Sequence, residues 1–275
     1  MAWLLAAAAL LVALWIAAWA RARRVRDRFV ARRAPRVRHP VVLAHGMLGF
    51  DEIAVAGRRH RYFRKITDGL RGLGTQFHTP RVPPTAPVAV RAEQLRALVD
   101  QLPGERVNVI AHSMGGLDAR YAISRLGLSD RVASLVTIGT PHFGTPLADL
   151  GAGLVPGTVS RALSRVVDVR ALHDLTTDAL ERFNREVPDA RGVAYCSVVA
   201  RSTLAGTNPL LWPSHAFLTA RAGANDGLVP LASQGWGKVM REIEADHWAQ
   251  IGWSRGFDAV ALYEDILREL VGLGF

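Results

Sequence analysis

Arg106-Val107-Asn108-Val109-Ile110-Ala111-His112-Ser113-Met114-Gly115-Gly116 reads as a strand that bends sharply into a helix. Val107, Val109 and Ile110 give its first five residues a β-branched, strand-like character, and residues 117–126 carry a helical pattern. Ser113 stands at the bend, with Ala111 two residues before it and Gly115 two after. A residue at such a bend is held in a strained backbone conformation that lifts its side chain clear of the sheet, and only small neighbours leave room for it. Small-x-Ser-x-Gly therefore marks Ser113 as a candidate nucleophile, with one extra methyl group at Ala111 where glycine is commoner. A serine here also suits the cap of a helix. The buried strand before it and Gly115-Gly116 after it favour the chemical role.

Outward from the bend, strand-like runs alternate with helical patterns, the signature of a mainly parallel sheet covered by helices. Val41-Val42-Leu43-Ala44 predicts a buried strand that runs into the loop His45-Gly46-Met47-Leu48-Gly49-Phe50. Residues 62–73 predict a helix, 81–87 a proline-rich loop, and Ala92, Leu95, Leu98 and Val99 the apolar stripe of a second helix. Residues 133–139 and Val193-Ala194-Tyr195-Cys196-Ser197-Val198-Val199 predict further strands. The expected class is α/β, with a single catalytic domain over residues 40–275.

Acyl transfer puts negative charge on a former carbonyl oxygen, and two aimed N–H groups stabilise it, each by about 3 kcal/mol. Met114 follows the nucleophile at a helix start, where backbone N–H groups are free. The loop after the first core strand supplies a second donor from Met47. On a nucleophile bend of this kind the acid and then the histidine follow in chain order. Only His142, His173, His215 and His247 lie after Ser113. Asp226, in Ala224-Asn225-Asp226-Gly227, follows a strand-like run at 217–222, and His247 follows an extended run at 239–244. These two are the candidate acid and base. Asp246 is the rival acid, but adjacent residues point different ways. Read alone, the Asn-Asp-Gly sequence is a turn and His247 a surface histidine.

The chain has 275 residues, 49% apolar and 21% charged, with a net charge of +10. Nine arginines between Arg21 and Arg38, against Asp27, carry +8 of that charge, so the body is nearly neutral and nucleic-acid binding is not indicated. They follow an uncharged apolar run over residues 1–20, long enough as a helix to cross a hydrocarbon layer of about 30 Å. The expectation is a transmembrane helix at 1–20 and a basic stem at 21–39 that meets anionic headgroups and keeps the catalytic domain in the cytoplasm. Ala20-Arg21-Ala22 offers a cleavage pattern, and the alternative is export after signal-peptide removal. The apolar run exceeds an h-region of about 7–15 residues, and its charge lies on the wrong side for a signal. Cys196 is the only cysteine, so no intrachain disulfide forms.

Four blocks, His45-Gly46-Met47-Leu48-Gly49-Phe50-Asp51, Ala111-His112-Ser113-Met114-Gly115-Gly116, Gly139-Thr140-Pro141-His142-Phe143-Gly144-Thr145 and Asn225-Asp226-Gly227-Leu228-Val229, together resemble the bacterial triacylglycerol lipases known as true lipases. The resemblance implies the α/β-hydrolase fold, Ser113, Asp226 and His247 as the triad, and Met47 and Met114 as oxyanion donors. It implies a lipid or acyl-ester substrate, and no cofactor is expected. A phospholipase, thioesterase or acyltransferase on the same fold is the alternative, and a catalytically silent scaffold a third reading. Those lipases hold a calcium ion and often a disulfide. Here His215 stands in place of an aspartate, Ala249 in place of another and Trp253 in place of a glutamine, so no metal is expected. A lid is expected over 147–175, where Val159, Ala162, Leu163, Val166 and Val167 share a helical face after Gly151, Gly153, Pro156 and Gly157. An ordinary packed helix gives the same pattern.

Overall fold

The computed structural model describes residues 36–49, 52–55, 58–70, 74–154, 169–254 and 256–275. The apolar run at 1–20 and the stem as far as Pro35 lie outside the described residues, as does 155–168, the centre of the expected lid. Among the described residues no helix is long and apolar enough to cross a membrane.

The strands in chain order are β1 Val41–Ala44, β2 Glu52–Val55, β3 Arg58–Arg61, β4 Phe77–His78, β5 Val107–His112, β6 Val132–Ile138, β7 Ala194–Arg201 and β8 Lys238–Glu244. Six of them form one sheet in the order β4-β1-β5-β6-β7-β8, parallel at every junction. β2 and β3 pair antiparallel in a separate ribbon. The helices are α1 Ile66–Gly69, α2 Val88–Asp100, α3 Gly115–Arg125, α4 Pro146–Leu154, α5 Val169–His173, α6 Thr177–Glu186, α7 Trp212–Ala222, α8 Leu231–Gln234 and α9 Ala259–Gly272.

A parallel sheet is covered on both faces, which is why its central strands are apolar throughout instead of alternating. Every residue of β1, β5 and β6 is buried. Val41 and Leu43 face a core completed by Leu262, Tyr263, Ile266 and Leu270 of α9, while Val42 and Ala44 face one completed by Ala92, Leu95 and Val99 of α2 and Ala119 and Ile123 of α3. From β1 the chain runs outward to β4 and then crosses back to β5 on the other side of β1. Ligands bind in the crevice at the carboxyl ends of strands where the order reverses in this way. Ala44 pairs with Ala111, so the loop after β1 and the bend after β5 emerge there side by side.

Two expectations need correction. Only Ile66–Gly69 of residues 62–70 is helical, because Lys65 has φ 64° and Arg64 donates its N–H to Ile251 O at 2.9 Å. Tyr62 and Phe63 stand before the helix and point into the core. Residues 217–222 are the end of α7, not a strand. Pro213 opens that helix, His215 and Leu218 bury one face a turn apart, and Leu218, Ala220, Arg221 and Ala222 are themselves good helix formers. The ribbon β2–β3 and the short edge strand β4 were not foreseen.

Gly115 opens α3 against the end of β1, and a Cβ there would stand 2.7 Å from the carbonyl oxygens of Ala44 and His45. Gly115→Ala is therefore expected to destabilise the protein by about 1–3 kcal/mol through overpacking, although alanine is the better helix former. Gly153→Ala in α4, where a Cβ meets nothing within 4 Å, is expected to be neutral or stabilising by up to about 1 kcal/mol. Urea unfolding of both variants reads the contrast; equal effects would refute it.

Candidate active site

Ser113 has φ 56°, in the left-handed region, and it is pinned there from three sides. Its N–H donates to Ile138 O at 2.9 Å, and its carbonyl accepts from Gly116 N at 3.0 Å and from Thr140 Oγ1 at 2.8 Å. Such strain costs on the order of 1–3 kcal/mol and persists only where the surroundings over-determine it. The loop after β1 passes so close that a Cβ on Gly46 would stand 2.7 Å from Ser113 Cβ.

Asp226 and His247 lie against each other, both buried. His247 Nδ1 is 2.7 Å from Asp226 Oδ2. An ionised carboxylate only accepts, so Nδ1 carries the proton and Nε2 of the neutral ring carries the lone pair. Gln250 Nε2 also donates to Oδ2 at 2.9 Å, while the N–H groups of Leu228 and Val229 donate to Oδ1 at 3.0 and 2.8 Å. The main chain adds a bond of 2.8 Å from His247 N to Asp226 O. Among the described residues no hydrogen bond joins the Ser113 hydroxyl to His247. The contact between their segments runs through His112, whose ring centroid is 4.5 Å from that of His247 and whose Nε2 donates to the His247 carbonyl at 3.1 Å. Catalytic hydrogen bonds are often long before substrate arrives.

Around Met47 the polar groups are tied down. His45 Nδ1 donates to Gly46 O, and its Nε2 accepts from Val82 N; Gly46 N donates to Tyr62 Oη and Leu48 N to Pro84 O. Among the described residues the N–H groups of Met47 and Met114 make no hydrogen bond. Arg91 steadies this arrangement from below: its guanidinium donates to His45 O and Pro83 O at 2.8 Å each and to Asp118 Oδ2 at 2.7–2.9 Å. One cation thereby links α2, the loop after β1 and the first turn of α3. Both partners of this ion pair are buried, and burial pushes the Asp118 carboxyl up to about 6 against the lowering effect of Arg91.

The other candidates settle into structural places. His142 is buried and stacks on Trp236, with Nε2 against Thr137 Oγ1, and burial holds it well below the usual histidine range. His215 Nε2 donates to Ser202 O at 2.8 Å, and His173 is exposed. Asp246 does not bond His247: its oxygens accept from the N–H groups of Asn208, Trp248 and Ala249. A calcium ion, implied by the resemblance, does not fit this donor set, since the Asp246 oxygens are aimed at backbone N–H groups and His215 presents a proton to its neighbour. Among the described residues no group of three or more His, Cys, Asp or Glu is arranged to hold a metal. Tyr62, Arg91, His112, Asp118 and Gln250 are site residues that the sequence did not disclose.

The fold and the bend define a class, and comparison with known proteins agrees with it. A family profile described as "alpha/beta hydrolase fold" matches residues 39–176. The triacylglycerol lipase of Pseudomonas fragi is 30% identical over 291 residues, covering 86% of this chain and 97% of its own. That of Vibrio cholerae is 31% identical over 286 residues, covering 86% of this chain and 89% of its own. In structure, a metagenomic carboxyl esterase shares the fold at a TM-score of 0.74 and 22% identity, over 88% of this chain and 79% of its own. The chain belongs to the bacterial triacylglycerol lipase family of the α/β-hydrolase superfamily, and it is a serine ester hydrolase of the lipase and esterase type.

Removing Arg91 leaves a buried carboxylate without its cation. Arg91→Met is expected to lower stability by roughly 3–5 kcal/mol, and more at pH 8 than at pH 5. The sign follows from Asp118, whose folded-state value of about 6 already lies above the ordinary 3.8 and rises further without Arg91. A raised acid favours the folded state while protonated and loses that contribution as pH climbs. Denaturant melts at the two pH values measure it; a deficit that shrinks with rising pH would contradict the assignment.

Proposed function

We propose that Ser113 is the nucleophile, His247 the general base and Asp226 the orienting acid of an acyl-enzyme mechanism that hydrolyses acylglycerols or related lipid esters. The observation that carries this reading is the wholly buried Asp226–His247 pair, with Nδ1–H fixed on the carboxylate, at the edge of the sheet where Ser113 stands at φ 56°. His247 Nε2 takes the Ser113 proton as Oγ bonds to the ester carbonyl carbon. The oxyanion is met by the N–H groups of Met47 and Met114. The imidazolium then passes its proton to the departing alkoxide, the C–O bond breaks and an acyl-serine remains. Water repeats the sequence, releasing the carboxylic acid and restoring Ser113. Asp226 stabilises the imidazolium and keeps its own charge throughout.

A lipid substrate is supported by apolar side chains on loops that follow β1, β6 and β7, the same edge as the site. Leu48 is 57% exposed, Phe143 50%, Leu210 78% and Trp212 46%. Ser113→Ala is expected to abolish hydrolysis of p-nitrophenyl esters of rising chain length, and Asp226→Asn to lower kcat roughly ten-thousandfold. A fluorophosphonate is expected to label Ser113 in the full chain; a labelled peptide elsewhere would overturn the mechanism.

The apolar run at 1–20 and the arginines after it support a membrane anchor with the catalytic domain on the cytoplasmic side. The full chain is expected to stay with membranes through alkaline carbonate extraction, and residues 39–275 to be released. Full-length protein recovered in the soluble fraction would count against the anchor.

A further inference from the structure

One line of hydrogen bonds joins the three segments of the site. Gly46 N donates to Tyr62 Oη at 3.1 Å, Tyr62 Oη is 2.7 Å from His112 Nδ1, and His112 Nε2 is 3.1 Å from the carbonyl of His247. Chemistry sets the direction of every link. A carbonyl only accepts, so the His112 proton sits on Nε2. Burial, with His247 beside it, holds His112 well below the usual histidine range, which leaves the ring neutral and Nδ1 bare. Tyr62 therefore donates to Nδ1, and its oxygen accepts from Gly46.

The ends of this line matter. Gly46 immediately precedes Met47, so the aim of the Met47 N–H depends on how the Gly46 peptide is held. His112 immediately precedes Ser113, and it grips the main chain of His247 while its ring lies against the imidazole, tilted by 50°. Both side chains are buried, where apolar groups would fix no hydrogen-bond angle. A fully satisfied polar network sets angles that packing leaves loose.

We propose that Tyr62 and His112 are positioning residues that hold the oxyanion loop and the base loop in register with the nucleophile. This deepens the function proposed above and rests on the roles assigned there to Ser113, His247 and Met47. Neither residue forms or breaks a bond in the reaction proposed above. Their effect falls on the transition state, whose negative oxygen and imidazolium both need alignment within a fraction of an ångström, and not on the ground state.

Tyr62→Phe deletes the hydroxyl and keeps the ring against His45, Phe63 and His112. His112→Gln keeps a donor near the Nε2 position and removes the Nδ1 acceptor. The measurement is ester hydrolysis by the full chain, with kcat expressed per serine titrated to completion by a fluorophosphonate, so that misfolded molecules drop out. Each variant is expected to lose about 10–100-fold in kcat with KM within about twofold, the mark of an interaction made in the transition state. The double variant is expected to be no more than about twofold worse than Tyr62→Phe, because both changes cut the same line. An unchanged kcat, a loss confined to KM, or losses that multiply in the double variant would each overturn the proposal. If Tyr62→Phe yields no titratable serine, His112→Gln carries the test alone through the same kcat and KM criterion. Activity surviving in Ser113→Ala is a separate result, and it would remove the assignment on which this one rests.

Discussion

A carboxylate taken entirely out of water has to be met by donors on both oxygens, and Asp226 is met by four: His247, Gln250 and the backbone N–H groups of Leu228 and Val229. Everything else at the site depends on that requirement being satisfied. The donors come from the turn after α7 and from the loop after β8, so satisfying the charge closes those two segments on each other. Main-chain bonds from His247 N to Asp226 O and from Ser202 N to Asn225 O fasten the same junction to the end of β7. The proton on His247 Nδ1 is a consequence, and with it the lone pair on Nε2. The tautomer of His247 is in this sense a by-product of burying a charge correctly.

The sheet contributes proximity. Parallel strands deliver all their following loops to one edge, and the reversal of order at β1 brings the loop after β1 against the bend after β5. Backbones approach there more closely than side chains permit, which is why Gly46 and Gly115 line the crossing, while Gly139, just after β6, leaves room for the side chains of Gln250 and Asp226. A Cβ on Gly139 would stand 2.3 Å from Gln250 Oε1 and 3.2 Å from Asp226 Oδ2. Small residues at these points bring Asp226, the loop of His247 and the bend at Ser113 close together.

Much of this was legible in the sequence because it is local or ordered along the chain. The bend at Ser113 announces itself through five residues, and the acid-then-histidine order leaves few candidates after it. The central strands are readable because burial on both faces makes them apolar throughout. Residues 217–222 misled because a mixed run of six residues carries no period long enough to separate a strand from a buried helix face. The supporting polar residues were illegible for a different reason. Tyr62 meets His112 across 50 positions, and His112 meets His247 across 135. Arg91 sits on the core face of α2, where an arginine breaks the apolar stripe with no local sign of Asp118, His45 and Pro83 waiting for it. Such partners exist only once the chain has folded.

Asp246 holds the loop of His247 to the segment after β7 by accepting the main-chain N–H of Asn208. It reads the backbone there and is indifferent to the side chain. The stretch from 204 to 212, which presents Leu204, Leu210 and Trp212 at the rim, is thus tethered by a contact that any residue except proline would provide at 208. Leu204 and Leu210, exposed and without polar side-chain atoms, can change without loosening that tether, whereas Asn208 caps the turn through Leu210 N and Trp212 Nε1 donates to Thr207 O. Exposed apolar positions and the tether that fixes the His247 loop are therefore separable in this chain.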